Sequence, residues 1–180
     1  MAMRRFGRLV GVALMIGSAG GALSAERYGI GRPATEAEIS AWDIDVDRDG
    51  RKLPPGSGNI AHGRDVFEAQ CTSCHGARGE GGTGERLVGG QGTLASTRPV
   101  KTVGSFWPYA PTLFDYIRRA MPMNAPQSLS DDDVYAVSGY VLYLNGLVPD
   151  GTVLDARSLA AIRMPNRDGF VPDPRPDVRP

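Results

Sequence analysis

Residues 71–75 read Cys71-Thr72-Ser73-Cys74-His75, and this stretch decides how the rest of the chain folds. Two intervening residues place both cysteine thiols within reach of the two vinyl groups of one porphyrin, so that each can form a thioether. The histidine that follows directly lies beneath the iron and can bind it through an imidazole nitrogen. The stretch therefore predicts one covalently bound haem c, attached to Cys71 and Cys74, with His75 as an iron ligand.

Two other uses of paired cysteines fit the sequence less well. A thioredoxin-type redox pair needs a strand-helix-strand context and is not followed directly by histidine. A zinc site needs four ligands, and the only other histidine, His62, lies nine residues before Cys71. The chain has two cysteines in total, which excludes a disulfide framework.

The second iron ligand is predicted from the segment RRAMPMNAP, residues 118–126. A methionine-proline step after a short helix suits a loop that brings a sulfur to the iron, so Met121 is the preferred ligand. Met123 is the alternative, although packing is the commoner role of a buried methionine. His62 is a third candidate and would give bis-histidine coordination. It lies on the helix before the attachment motif, on the same side as His75, and is predicted to face solvent instead.

The residues around the motif predict a small all-α domain over residues 59–147. Asn59 can cap a helix that continues over IAHGRDVFEAQ. A glycine-rich loop follows over residues 76–104, then a short helix over residues 109–120 with proline in its first turn. Ser130 caps a last helix with apolar residues at helical spacing.

Glycines and aromatic residues on the first and last helices predict how these helices pack. Gly63 and Gly139 permit a close crossing, because neither carries a side chain. Aromatic side chains on the same helices are predicted to cover the haem edge: Phe67, Tyr140 and Tyr143. Hydrogen-bond donors to the haem propionates are predicted among Trp107, Tyr109, Arg86 and Arg98.

The first 25 residues, MAMRRFGRLVGVALMIGSAGGALSA, have the order of a secretory signal peptide. Three arginines precede an apolar run, and small residues follow, with cleavage predicted near Ser24 or Ala25. The apolar run is shorter than the roughly 20 residues of a membrane span. The segment therefore predicts a periplasmic protein with no stable membrane insertion, and the alternative is an uncleaved N-terminal anchor.

Two further segments flank the predicted haem domain. Residues 26–58 form an N-terminal extension with one short helix over residues 35–42, and the extension is longer than a haem domain needs. We therefore expect it to dock on a partner. Within it, the spacing of Asp45, Asp47 and Asp49 matches half of a calcium loop, but glycine stands where the last ligand belongs, which predicts an acidic turn. Residues 148–180 are rich in proline and charge and predict a loosely ordered tail.

The charge balance excludes a nucleic-acid partner. The chain has 20 basic and 20 acidic residues. Removing residues 1–25 removes three arginines and no acid, which leaves 17 basic and 20 acidic residues and a net charge of −3. A mildly acidic surface favours a basic patch on a protein partner.

These residues resemble those of class I bacterial cytochromes c over roughly residues 59–147. The resemblance rests on the attachment motif followed by Gly76, the GxGG run at residues 79–82 and the Met121-Pro122 step. Three stretches are more narrowly similar to the cytochrome c subunit of sulfite or sulfur dehydrogenases in Sox-type thiosulfate oxidation. They are GRPATEAEISAWDIDV (31–46), LPPGSGNIAHG (53–63) and FWPYAPTLFDYIRRAMPMNAPQSLSDDDVYAVSGYVLYLNG (106–146).

The resemblance implies a class I fold with helices wrapped around one haem c, and Met121 as the second iron ligand. It implies a non-catalytic subunit that accepts single electrons from a molybdopterin-containing dehydrogenase subunit and passes them to a downstream cytochrome or oxidase. The residues leave two alternative functions open. One is a free-standing soluble carrier between several dehydrogenases and a terminal oxidase, and the other is an enzyme with an open sixth iron position.

Two features depart from the family pattern. Larger dihaem members have a second CxxCH motif, whereas this chain has one. Many class I cytochromes place a proline where Arg86 or Leu87 stands here, and its carbonyl orients the ligand histidine. The sequence does not show which residue of this chain orients the ligand histidine.

Overall fold

The computed structural model describes residues 30–174, and the predicted signal peptide lies outside this range. Residues from Thr35 onward form one compact unit, and residues 30–34 belong to a separate N-terminal unit. The elements of the described range, in chain order, are α1 (Glu36–Trp42), β1 (Ser57–Asn59), α2 (Ile60–Gln70), α3 (Thr72–His75), α4 (Ala110–Ala120), α5 (Asp131–Leu144), β2 (Val153–Asp155) and α6 (Ala156–Ala160). None of these helices is long and apolar enough to cross a membrane.

Side-chain caps begin the two main helices where the sequence predicts them. The Asn59 side chain accepts a hydrogen bond from the backbone N–H of His62 at 2.8 Å, so α2 begins at Ile60. Ser130 and Asp133 form a reciprocal capping box at the start of α5. Each cap satisfies backbone donors that the first helical turn leaves free, which stabilises the helix by about 1 kcal/mol.

The α2–α5 contact forms the centre of the core. At Gly63, a Cβ atom would lie 2.0 Å from the backbone oxygen of Ala136, so only glycine permits this approach. The Phe67 ring meets the Tyr140 ring edge to face, with 5.4 Å between ring centroids. Gly139 also lies at this contact: a Cβ atom there would be 3.1 Å from Cδ1 of Ile60 on α2 and 3.2 Å from Cδ1 of Leu154. Each of the two helices therefore has a glycine where it approaches the other closely, as the sequence predicts.

A two-stranded antiparallel sheet corrects the prediction of an all-α chain. Strand β1 pairs with β2 in the register Ser57 to Asp155, Gly58 to Leu154 and Asn59 to Val153. Each strand has three residues, too few to show the alternation by which strands are recognised in a sequence. The fold is therefore helical with one short sheet, which brings the C-terminal segment onto the start of α2.

The sequence predicts a loosely ordered tail after residue 147, but the structure shows ordered elements in part of this segment. It forms β2 and α6, and Leu154, Leu159 and Met164 are each at most 1% exposed. These three residues are five positions apart, which matches neither a helical nor a strand period, and their burial depends on contacts with distant parts of the chain. The domain therefore extends beyond the predicted boundary, while residues 175–180 lie outside the described range.

The N-terminal extension divides into two parts. Residues 43–58 pack on the domain: the backbone N–H of Val46 donates to the Asp115 carboxylate at 2.8 Å, and the Tyr135 hydroxyl donates to the Pro54 carbonyl at 2.8 Å. Val46 is also buried. This part is a structural component of the domain rather than a free arm, whereas α1 buries none of its residues.

The acidic turn in the extension is neutralised by its own basic residues. Lys52 Nζ lies 2.5 Å from the Asp43 carboxylate, and Arg51 Nε lies 3.1 Å from a carboxylate oxygen of both Asp47 and Asp49. Across residues 30–174, no group of three or more His, Cys, Asp or Glu residues is arranged to hold a metal ion. The carboxylates of the predicted acidic turn are therefore held in ion pairs with neighbouring basic residues.

Candidate haem-binding site

The attachment motif is fixed directly to the end of α2. The backbone N–H of Cys71 donates to the Phe67 carbonyl at 2.9 Å and so closes α2. The Cys71 carbonyl in turn accepts from the N–H of His75 at 2.9 Å, within the single turn of α3. The two thiols and the imidazole therefore project from one short helical turn whose position is set by the buried helix before it.

The two cysteines have the properties of an attachment pair rather than of a redox pair. Both are free and partly buried. Burial, and to a lesser extent the neighbouring Cys74, raise the pKa of the Cys71 thiol to about 11. A redox CxxC pair instead requires a cysteine with a lowered pKa, because the thiolate is the nucleophile. The raised pKa of Cys71 therefore favours an attachment pair over a thioredoxin-type pair.

The imidazole of His75 is held by a backbone carbonyl. Its Nδ1 lies 2.7 Å from the carbonyl oxygen of Glu85. Since a carbonyl can only accept a hydrogen bond, Nδ1 carries the proton and Nε2 keeps its lone pair. This is how proteins commonly orient a metal-binding histidine. The orienting role that the sequence leaves without a residue therefore belongs to Glu85, whose side-chain identity gives no signal because only its backbone is used.

A glycine supports the same ring from the side. At Gly84, a Cβ atom would lie 2.9 Å from Cε1 and 3.1 Å from Nδ1 of His75. The backbone can therefore approach the imidazole only because this residue has no side chain. Together with the Glu85 carbonyl, it fixes the plane of the His75 ring and leaves Nε2 available for iron.

Asn145 connects the loop behind His75 to the end of α5. Its Oδ1 accepts from the Gly89 N–H at 3.0 Å, and its Nδ2 donates to the Leu87 carbonyl at 3.1 Å and to the Val141 carbonyl at 2.9 Å. Gln91 Nε2 donates to its backbone oxygen at 3.1 Å. Asn145 is buried. The sequence assigns it only the end of a helix, because asparagine is common there and nothing local shows that it joins a distant loop.

The three candidates for the second iron ligand differ in their surroundings. Met121 ends α4 and is partly buried against the core. Met123 is 78% exposed. His62 lies on α2 with a side chain 48% exposed, and its Nε2 is 2.6 Å from the Asp133 carboxylate. His62 therefore faces solvent, as predicted, and of the two methionines only Met121 has a side chain directed towards the interior.

The predicted propionate donors have other contacts. Arg86 is exposed and donates from Nε to the Glu80 carbonyl at 3.1 Å. The Tyr109 ring packs against the Arg167 guanidinium, 4.3 Å from its centroid, and the Trp107 ring meets that of Tyr116. Arg98 is also exposed. Their role towards haem propionates stays a prediction.

Comparisons with known proteins match both the haem motif and the segments around it. A family model described as cytochrome C oxidase, cbb3-type, subunit III, matches residues 58–141. Thiosulfate dehydrogenase of Allochromatium vinosum is 34% identical over 84 residues, which cover 45% of this chain and 30% of that protein. The chain thus matches only about a third of the length of this relative.

A solved structure gives a longer match. The crystal structure of the sulfane dehydrogenase SoxCD from Paracoccus pantotrophus contains a chain that is 48% identical, with a TM-score of 0.76 over 83% of this chain and 74% of that one. This chain belongs to the Sox-type cytochromes c. Residues 59–180 make up only about two thirds of this chain. A match that covers 83% of the chain therefore also includes part of the extension before Asn59.

A Sox-type cytochrome c binds haem c and carries electrons, and the residues described above fit that cofactor. The motif offers two unpaired thiols on one helical turn, followed by a histidine with a free Nε2. The loop that holds His75 through the Glu85 carbonyl is joined to α5 by Asn145, and Cys71 packs against the buried apolar core. These are the donors and the apolar surroundings that a covalent haem requires.

Proposed function

We propose that this Sox-type cytochrome c is the electron-accepting subunit of a molybdenum-containing sulfur dehydrogenase. The observation that carries the proposal is the SoxCD match, at 48% identity, which extends beyond the haem domain into the N-terminal extension. Cytochromes of many functions share the CxxCH motif, whereas the extension is needed neither for haem attachment nor for iron ligation. We take the presence of such a segment in both this chain and a SoxCD chain as support for a similar partner.

The chain holds its cofactor in the manner of a class I cytochrome c, with helices around one haem. Cys71 and Cys74 form the two thioethers, and His75 and Met121 bind the iron. The partial burial of Met121 supports this choice over Met123, which is 78% exposed. When bound, the haem supplies a one-electron couple. The Glu85 carbonyl holds the proton of His75 at Nδ1, and the buried core excludes water, which lowers the reorganisation that accompanies each transfer.

The remaining roles are divided between this chain and its partners. The sulfur chemistry belongs to a molybdopterin-containing subunit, and we assign this chain no catalytic residue. It passes each electron to a downstream cytochrome or oxidase. Residues 1–25 direct it to the periplasm, where haem attachment and sulfur oxidation take place. The net charge of −3 that remains after their removal favours basic surfaces on both partners.

Affinity purification of the tagged, haem-loaded chain from a sulfur-oxidising host tests this function. We expect a co-purifying protein with stoichiometric molybdenum, measured by elemental analysis. Thiosulfate, sulfite or a sulfane-sulfur compound should then reduce the haem in the complex but not in the isolated cytochrome, as followed by its visible absorption bands. Recovery of a lone cytochrome, without molybdenum and reduced at similar rates by unrelated dehydrogenases, would overturn the proposal in favour of a free-standing carrier.

A further inference from the structure

Helix α1 is capped by its own residues but buries none of them within residues 30–174. Thr35 caps it, and a reciprocal capping box joins Thr35 to Glu38. None of its seven residues is buried. Isolated helices of this length are marginal in water, and most helices in proteins are stabilised by packing an apolar face. A capped helix without a packed face is therefore suited to being stabilised by a second molecule.

The exposed side of α1 carries large apolar side chains. Trp42 is 86% exposed, and Ile39, three residues earlier, is 46% exposed. Residues three apart lie on the same face of a helix. Tryptophan is also among the residues that contribute most binding energy at protein interfaces. The face formed by Ile39 and Trp42, called here the α1 face, is therefore an apolar anchor.

The segment around the α1 face keeps a net negative charge after its ion pairs are counted. Residues 35–52 contain six carboxylates and three basic residues. Among these, Glu36 lies in the first turn of α1, and Asp43 directly follows Trp42. Asp43 is paired with Lys52, whereas the charge of Glu36 lies beside the apolar face. The complementary surface is an apolar cleft with lysine or arginine at its rim.

The base of α1 is fixed to the cytochrome domain. The Ile44 carbonyl, two residues after Trp42, accepts from Arg118 Nη1 at 2.9 Å, and the Val46 N–H donates to Asp115. A partner bound to α1 is thereby held beside the haem domain rather than at the end of a long flexible linker. Docking at this position keeps donor and acceptor together during electron transfer.

We propose that the α1 face docks into an apolar, basic-rimmed cleft on the molybdenum-containing subunit. The proposal rests on the function proposed above and narrows the docking segment from residues 26–58 to α1, because residues 43–58 already pack on the domain. Three observations support it: the apolar anchor, the surrounding carboxylates, and the inclusion of part of the extension in the match to a SoxCD chain.

Binding measurements with the haem-loaded full chain test the docking. The probe is the molybdenum-containing subunit that co-purifies with the wild-type chain, and the readout is the dissociation constant. We expect Trp42→Ala to weaken binding at least about tenfold, as loss of a central aromatic anchor does. Glu36→Lys should weaken it less and reduce its dependence on salt. The matched control Val171→Ala, at a residue 85% exposed in the C-terminal segment, should change it less than twofold.

Two further measurements distinguish a loss of docking from misfolding of the variant, and docking on the molybdenum-containing subunit from binding of the α1 face to another molecule. The haem absorption spectrum and the rate of reduction by ascorbate should be the same in all variants, because α1 buries no residue. An unchanged dissociation constant for Trp42→Ala would overturn the docking while leaving the proposed function intact. Self-association of the isolated chain that depends on Trp42, seen by sedimentation, would assign the face to a second copy instead. Failure of the wild-type chain to bind any molybdenum protein would overturn both proposals.

Discussion

The loop behind His75 and the loop that begins at Met121 are built in opposite ways. The first is joined to the imidazole by the Glu85 carbonyl and to α5 by the side chain of Asn145. In the second loop, residues 123–128 are exposed. A backbone hydrogen bond within it runs from the Ala125 N–H to the Pro122 carbonyl. One ligand loop is fixed by buried hydrogen bonds, and the other is bordered by solvent.

This difference separates the two ligands by function. The orientation of His75 is set by a hydrogen bond to the backbone of the protein. A segment with few buried contacts opens at a lower free energy than a buried one. We therefore expect the Met121 side to depend on the iron–sulfur bond for its order, and to be the side on which the ligand exchanges.

Replacing His75 has the largest expected effect. In His75→Ala, both thiols remain but the iron loses the ligand that the protein orients, so we expect almost no haem-loaded protein. Haem content per chain, measured by the pyridine haemochrome method, reports the result. Met121→Ala is the comparison: with thioethers and His75 intact it should retain its haem. Equal haem loss in both variants would show that the two sides contribute alike.

Asn145→Ala tests the buried hydrogen bonds of the first loop. The change leaves the Gly89 N–H and the Leu87 and Val141 carbonyls without their partner. Each unsatisfied buried group costs about 1–3 kcal/mol, so the free energy of unfolding should fall by about 2–4 kcal/mol after partial relaxation.

Asn166→Ala provides the matched control for Asn145. The Asn166 side chain donates one hydrogen bond, to the Phe106 carbonyl at 2.7 Å, so its loss should cost about 1 kcal/mol. Guanidinium denaturation of the haem-loaded variants measures both values. Similar losses for the two variants would contradict the view that Asn145 fixes the first loop.

The sequence predicts what short-range signals encode. The attachment motif, the caps Asn59 and Ser130 and the helices that follow them depend on neighbouring residues, and the structure has them where predicted. The helix over residues 35–42 was predictable for the same reason, because its cap and its capping glutamate are three residues apart.

The rest depends on residues distant in the chain. Glu85 contributes a backbone oxygen, which any residue would supply, and Asn145 acts on a loop more than 50 residues away. The sheet joins residues 57–59 to residues 153–155, and the buried residues of the C-terminal segment, such as Leu159, have no helical or strand period. Contacts of this kind are decided by the assembled fold and leave no local period or motif.

Met121→Ala and Met123→Ala form a matched pair on the second loop. Loss of a thioether ligand should lower the reduction potential by at least about 0.1 V, since axial ligands move haem potentials over about 0.8 V in total. Met123 is 78% exposed, so its replacement should leave the potential unchanged. Protein-film voltammetry measures both. The opposite result would make Met123 the ligand and require the exposed loop to rearrange around the haem.

His62→Asn has the smallest expected effect and tests whether the two loops account for both iron ligands. Nε2 of His62 lies 2.6 Å from the Asp133 carboxylate, with the two side chains 48% and 29% exposed. The Ser130 hydroxyl, and then His62, hold the pKa of Asp133 below its usual value. Because Ser130 retains its hydrogen bond to Asp133 in the variant, the free energy of unfolding should change by less than about 1 kcal/mol.

The haem spectrum distinguishes this surface role of His62 from iron ligation. Since the imidazole faces solvent on α2, the absorption bands and the reduction potential of His62→Asn should equal those of the wild type. A shift to the spectrum of a haem that has lost a ligand would place His62 on the iron. Met121→Ala would then leave the spectrum unaltered, and the contrast between a fixed histidine loop and an exchangeable methionine loop would fail, because the second ligand would come from the rigid helix α2.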